Sequence, residues 1–170
     1  KRNTMKINEN KTEIAHIMEE EKEHLFRYAC YRIGNINEVE DILQDLFIKL
    51  CSTKGDIENM RSYLYRSLLN NCNSRLKEKQ RFQLDFVDNL ENIEIEELAP
   101  TNFEEEFVVI NKLLLTLPDE QSEIIRLKIH AAKTFREISE ILHIPLTTAK
   151  SRYKYGIDKL REGLKKECLI

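Results

Sequence analysis

Residues 134–161 read TFREISEILHIPLTTAKSRYKYGIDKLR, and the reading of this stretch decides the fold. Ile138, Ile141 and Leu142 supply the apolar side of a short helix that starts near Thr134. His143, Ile144 and Pro145 interrupt it, and Pro145, with fixed φ and no N–H, suits a turn or the start of the next helix. Leu146, Ala149, Tyr153, Ile157 and Leu160 then recur at helical spacing and are expected to face inward. Thr147, Thr148, Lys150, Ser151, Arg152 and Lys154 are left pointing out. One helix that braces and a second that offers short hydroxyls and long cations make a helix-turn-helix. Its second helix suits the DNA major groove. A solvated helix hairpin has the same local pattern, so the rest of the chain must separate the two.

The chain has 170 residues, enough for one ordinary domain or two small ones. Hydrophobic residues make up 41%, which permits a core, and charged residues at 34% imply a large wet surface. Four Gly and three Pro are few, which favours helices over hairpins. No apolar run approaches the ~18 residues of a membrane span and no signal pattern is visible, so a cytoplasmic location without membrane insertion is expected. Met5, in a chain that opens at Lys1, is a candidate natural start. Cys30, Cys51, Cys72 and Cys168 lie far apart with no His at ligand spacing, and the four His form no cluster. Neither a metal site nor a disulfide framework is expected. Glycine-rich phosphate loops and nucleophile motifs are also missing, so no cofactor and no enzymatic activity are expected.

The net charge of −3 conceals its distribution. Residues 1–81 hold 15 Lys/Arg against 13 Asp/Glu, residues 82–108 hold nine acidic and no basic residues, and residues 109–170 hold 12 against eight. Two mildly basic blocks thus flank a wholly acidic segment. Nucleic-acid binding follows the local patch rather than the whole-chain balance.

Helical periods fill both blocks. Residues 12–33 form a first helix with Ile14, Ile17, Leu25, Tyr28, Ala29 and Ile33 inward, ended by Gly34. Asn37 is a candidate cap for a second helix, where Val39, Ile42, Leu43, Leu46, Phe47 and Leu50 make an apolar stripe. Its opposite face carries Glu40, Asp41, Gln44, Asp45 and Lys49. Residues 51–57 read as a loop. A third helix runs from about 58 to 80 with Leu64, Leu68, Cys72 and Leu76 inward, and it carries Arg61, Arg66, Arg75, Lys77 and Lys79. Tyr63, Tyr65, Asn70, Asn71 and Asn73 lie on it too. Asn is a poor helix former, so either ligand contact or surface tolerance accounts for the cluster. The period is lost over 82–102, and helices resume at 103–116 and 119–131, separated by Leu117-Pro118. The expected architecture is all-α: a domain at 1–81, an acidic linker at 82–108 and a helix-turn-helix domain at 109–170.

The combination resembles the extracytoplasmic-function sigma factors of bacterial RNA polymerase over about residues 20–82 and 110–165. Family motifs stand here as Glu40-Asp41-Ile42-Leu43-Gln44-Asp45-Leu46-Phe47, then Tyr63-Leu64-Tyr65-Arg66 followed by Asn70, Arg75, Leu76, Lys77 and Arg81. In the second block they stand as Leu117-Pro118-Asp119-Glu120-Gln121, Glu137-Ile138-Ser139 and Thr148-Ala149-Lys150-Ser151-Arg152. Tyr63 stands where the family has Trp, and His143 where turns of this kind favour Gly.

The resemblance implies an initiation factor that directs core polymerase to specific promoters and helps melt them. Glu40, Asp41, Gln44, Asp45 and Lys49 would then contact core polymerase. Arg61, Tyr63, Tyr65, Arg66, Asn70, Asn73, Arg75 and Lys77 would contact and melt the minus-ten element, and the Ser52–Ile57 loop would shape the pocket for a flipped base. Thr147, Thr148, Lys150, Ser151, Arg152 and Lys154 would contact the minus-thirty-five element. Core polymerase, promoter DNA and an anti-sigma protein are the implied partners. The alternative is a sigma-like DNA-binding regulator, or an anti-sigma decoy, that does not engage polymerase.

Overall fold

The computed structural model describes the backbone of residues 2–53, 57–87 and 105–167, and the side chains of residues 12–53, 57–81 and 110–166. The described residues form seven helices and no strand: α1 (Arg2–Ile33), α2 (Ile36–Ser52), α3 (Met60–Val87), α4 (Glu105–Leu115), α5 (Asp119–Ile129), α6 (Phe135–Leu142) and α7 (Leu146–Glu167). They fall into two compact units, Lys1–Leu98 and Ala99–Ile170.

In the first unit α1, α2 and α3 pack against one another. Leu25, Tyr28 and Ala29 from α1, Val39, Leu46 and Leu50 from α2, and Leu64, Tyr65, Leu68 and Cys72 from α3 are buried together in its core. The Tyr28 and Tyr65 rings meet edge to face at 6.4 Å, the arrangement favoured by their quadrupoles. Burial pushes the Cys30 thiol up to about 11, which keeps it protonated at neutral pH.

Several local expectations are corrected. Gly34 (φ +79°) closes α1, and Asn35, not Asn37, caps α2 by accepting from the Glu38 N–H at 3.1 Å. Helix α2 thus begins at Ile36, earlier than a cap at Asn37 would allow. Phe47 belongs to the expected apolar stripe yet is 39% exposed, because it lies at the edge of the face that α1 and α3 cover. Asn59 accepts from the Ser62 N–H at 3.0 Å and starts α3, a cap that the sequence reading did not single out. Helix α1 begins at Arg2 and α3 continues to Val87, further than their apolar periods suggest. Neither extension contains Gly or Pro, and adding a residue to an existing helix is far easier than starting one. The expected acidic linker lies largely outside the described residues, as do residues 54–56 of the expected loop.

In the second unit α7 runs against α4, α5 and α6. Leu114, Leu117 and Ile125 are packed with the partly buried Tyr153, Ile157 and Leu160 of α7. Gly156 allows the close approach of α5: a Cβ there would lie 2.7 Å from Ile125 Cδ1. Thr134 and Glu137 form a reciprocal capping box at the start of α6, which satisfies amides that a helix start leaves open. His143 ends α6 in the left-handed region (φ 53°, ψ 44°), the conformation that the turn demands and that favours glycine. Leu146, expected inward, is 41% exposed. It is the first residue of α7, before the helix reaches the neighbours that cover Ala149 and Tyr153.

Candidate functional site

Three helix faces collect the candidate residues. On α2, Glu40, Asp41, Gln44, Asp45 and Lys49 are all exposed, opposite the buried Val39, Ile42, Leu46 and Leu50. Among the described residues none of the five side chains has an ion pair or hydrogen bond. Ile48 falls among them and is 63% exposed. Sequence reasoning passed over Ile48, although its spacing of four from Gln44 places it on the polar face. The result is an acidic surface with an apolar side chain toward its C-terminal end, suited to a basic partner that also buries apolar area.

On α3 the structure divides the candidates. Tyr63, Arg66, Asn70, Asn73 and Lys77 recur at three- and four-residue steps and share one stripe, which also takes in Ser74 and Arg81. Tyr63, Arg66 and Asn73 are half-buried, and Asn70 and Lys77 are exposed. Asn73 Oδ1 accepts from Arg32 at 2.5 Å, which ties this stripe to α1.

Tyr65 is a correction. Its ring is fully buried and its hydroxyl donates to Glu21 Oε2 at 2.8 Å, so it packs the core and cannot reach a base. Arg61 and Arg75 also leave the stripe, because their positions project from other sides of the helix. Arg61 donates to Glu21 Oε1 at 2.6 Å and to Glu20, and those carboxylates hold its protonated form more firmly than usual. Arg75 lies 3.6 Å from Glu78. Lys79 meets Glu38 at 2.8 Å and joins α3 to α2. Much of the positive charge read on this helix therefore serves the unit's own packing.

On α7, Thr147, Lys150, Ser151 and Lys154 are exposed, whereas Thr148 and Arg152 are half-buried along one edge of the same face. Ser151 Oγ donates back to the Thr148 carbonyl at 3.1 Å. Lys150 and Lys154 have no ion pair among the described residues. Arg152 does: its Nη2 lies 2.5 Å from Glu120 Oε2 in the first turn of α5. Behind this face α6 is fixed by the Phe135–Tyr153 edge contact, with Lys128 over the Phe135 ring at 5.1 Å. The brace and the outward helix of the helix-turn-helix are both present, the brace buried through Ile138 and Ile141.

No group of three or more His, Cys, Asp or Glu among the described residues could hold a metal ion. No described helix is long and apolar enough to cross a membrane.

Comparison with known proteins fits this arrangement. Residues 113–162 match the family described as Sigma-70, region 4. The chain is 33% identical over 151 residues to the ECF RNA polymerase sigma factor SigW of Bacillus subtilis (strain 168), covering 80% of this chain and 81% of that protein. It is 28% identical over 152 residues to the RNA polymerase sigma factor SigZ of the same organism, covering 84% and 82%. Two solved structures share the fold. The sigma factor RpoE of Bartonella quintana, in complex with the anti-sigma factor NepR, has a TM-score of 0.63 at 21% identity and covers 91% of this chain and 96% of that one. CnrH, in complex with the cytosolic domain of CnrY, has a TM-score of 0.70 at 17% identity and covers 96% and 94%. An acidic α2 face, an amide- and cation-bearing α3 stripe and a helix-turn-helix, together with relatedness across four-fifths of the chain, place this protein in the extracytoplasmic-function family of RNA polymerase sigma factors, non-enzymatic proteins that direct transcription initiation.

Proposed function

We propose that α2 docks on core RNA polymerase through Glu40, Asp41, Gln44, Asp45 and Lys49, with Ile48 as the apolar anchor. The observation that carries this reading is the α2 face itself: exposed, acidic and without ion pairs among the described residues. Ile48 at the C-terminal end of this face would add affinity on docking by burying apolar area.

The division of labour that follows gives polymerase binding and the minus-ten element to residues 1–81, a tether to 82–108 and the minus-thirty-five element to 109–170. Tyr63 and Asn70 would meet unstacked bases of the melted strand while Arg66 and Lys77 hold its phosphates. Lys150 and Lys154 would anchor phosphates at the minus-thirty-five element, and Thr147, Thr148 and Ser151 would meet base edges and thymine methyls. The fold likeness to the sigma factor RpoE, solved with the anti-sigma factor NepR, supports an anti-sigma protein as a further partner.

The test is co-elution of the purified protein with bacterial core polymerase, beside an Asp41→Lys/Asp45→Lys variant whose circular dichroism matches the parent. Binding by the parent and not by the variant is expected. Failure of the parent to bind a competent core would leave the α7 surface as that of a polymerase-independent regulator.

A further inference from the structure

The cations on the outward half of α7 are not equivalent. Lys150 and Lys154 are exposed and have no ion pair among the described residues, whereas Arg152 is held by Glu120 at 2.5 Å. The two partners come from different helices, with the Arg152 side chain 30% exposed and that of Glu120 66% exposed. An ion pair this open to water adds almost nothing to stability. Asp119 already places a carboxylate in the first turn of α5, so the helix start does not depend on Glu120 alone. The pair acts instead on what Arg152 does next.

We infer that Glu120 is a positioning residue that holds Arg152 back from duplex phosphates. This rests on the reading of α7 as a DNA-contacting helix. Any duplex offers phosphates, and a free guanidinium beside Lys150 and Lys154 would bind them whatever the sequence. With Glu120 in place, transfer of Arg152 to a phosphate breaks an ion pair and leaves a carboxylate next to the phosphate's like charge. The phosphate's two oxygens can take the planar guanidinium as the carboxylate does, so the exchange gains little over the pair it breaks. Glu120 therefore lowers the affinity of α7 for duplex DNA through Arg152.

The experiment measures binding of the full chain to a 30-base-pair duplex of random sequence between about 50 and 200 mM salt. Parent, Glu120→Gln, Arg152→Gln, the double variant and Lys150→Ala/Lys154→Ala are compared. Glu120→Gln is expected to melt with the parent and to bind several-fold tighter at the lowest salt. One additional phosphate contact steepens the salt dependence by about 0.9 in log–log slope, so the advantage should shrink about threefold across that range. The gain should vanish when Arg152 is also Gln. Unchanged affinity and slope in Glu120→Gln, or a gain that persists without Arg152, would overturn the inference. If Lys150→Ala/Lys154→Ala leaves affinity and slope unchanged, α7 is not the DNA face, and both the inference and the reading beneath it fall.

Discussion

Helices α3 and α7 look alike as strings of residues: each mixes cations, tyrosines and small polar side chains along a helical period. In the folded protein they differ. Helix α3 lies against both α1 and α2, and Arg61, Lys79, Asn73 and Tyr65 have partners on those helices. The first half of α7 is covered on one side only, so Lys150, Lys154 and Thr147 remain exposed. Counting cations on a helix thus overstates the surface available to nucleic acid when the helix has neighbours on two sides. The acidic residues of those neighbours, Glu20, Glu21 and Glu38, neutralise part of the count.

The sharpest way to break this comparison lies within α3. Tyr65→Ala removes a fully buried aromatic ring and the donor that satisfies Glu21, and should cost about 3–5 kcal/mol of folding stability. Tyr63→Ala, at a half-buried position on the stripe, should cost under about 1.5 kcal/mol while weakening capture of single-stranded minus-ten DNA. Urea unfolding and a fluorescence binding assay separate the two effects. Equal destabilisation by both would mean that the two tyrosines are not divided between core and surface.

A second, smaller effect compares cations. Losing both Lys150 and Lys154 should flatten the salt dependence of duplex binding by about 1.8 in log–log slope, two phosphate contacts' worth. Arg75→Ala should leave that slope near the parent value, since Arg75 projects away from the α3 stripe and lies near Glu78. A fall as large for Arg75 as for the lysines would reject the division of α3 into a DNA stripe and an internally paired side.

The smallest effect concerns the turn that presents α7. His143 is exposed with φ 53°, and glycine escapes the left-handed penalty at some cost in chain entropy. His143→Gly should therefore raise stability by about 0.5–1 kcal/mol, read as a higher urea midpoint. A loss of stability would show that the imidazole, not only the backbone, holds the turn.

Much of this protein is legible in its sequence for a physical reason. Helical periodicity is a local property, so most apolar positions of α2, the helix hairpin at 134–161 and the acidic face at Glu40, Asp41, Gln44 and Asp45 follow from spacing alone. The left-handed turn at His143 is implied only by the family resemblance, whose turns favour Gly at that position. Helix ends were less legible, because Asn35 and Asn37 are equally good caps and only the packed chain selects one. The tertiary structure alone decided which tyrosine became core, which cations stayed exposed and which acquired a carboxylate. Those outcomes depend on residues distant in sequence: Glu21 for Tyr65 and Arg61, Glu38 for Lys79, Glu120 for Arg152. A period places a side chain on a face of its own helix, but the neighbour that meets it is chosen when the helices pack.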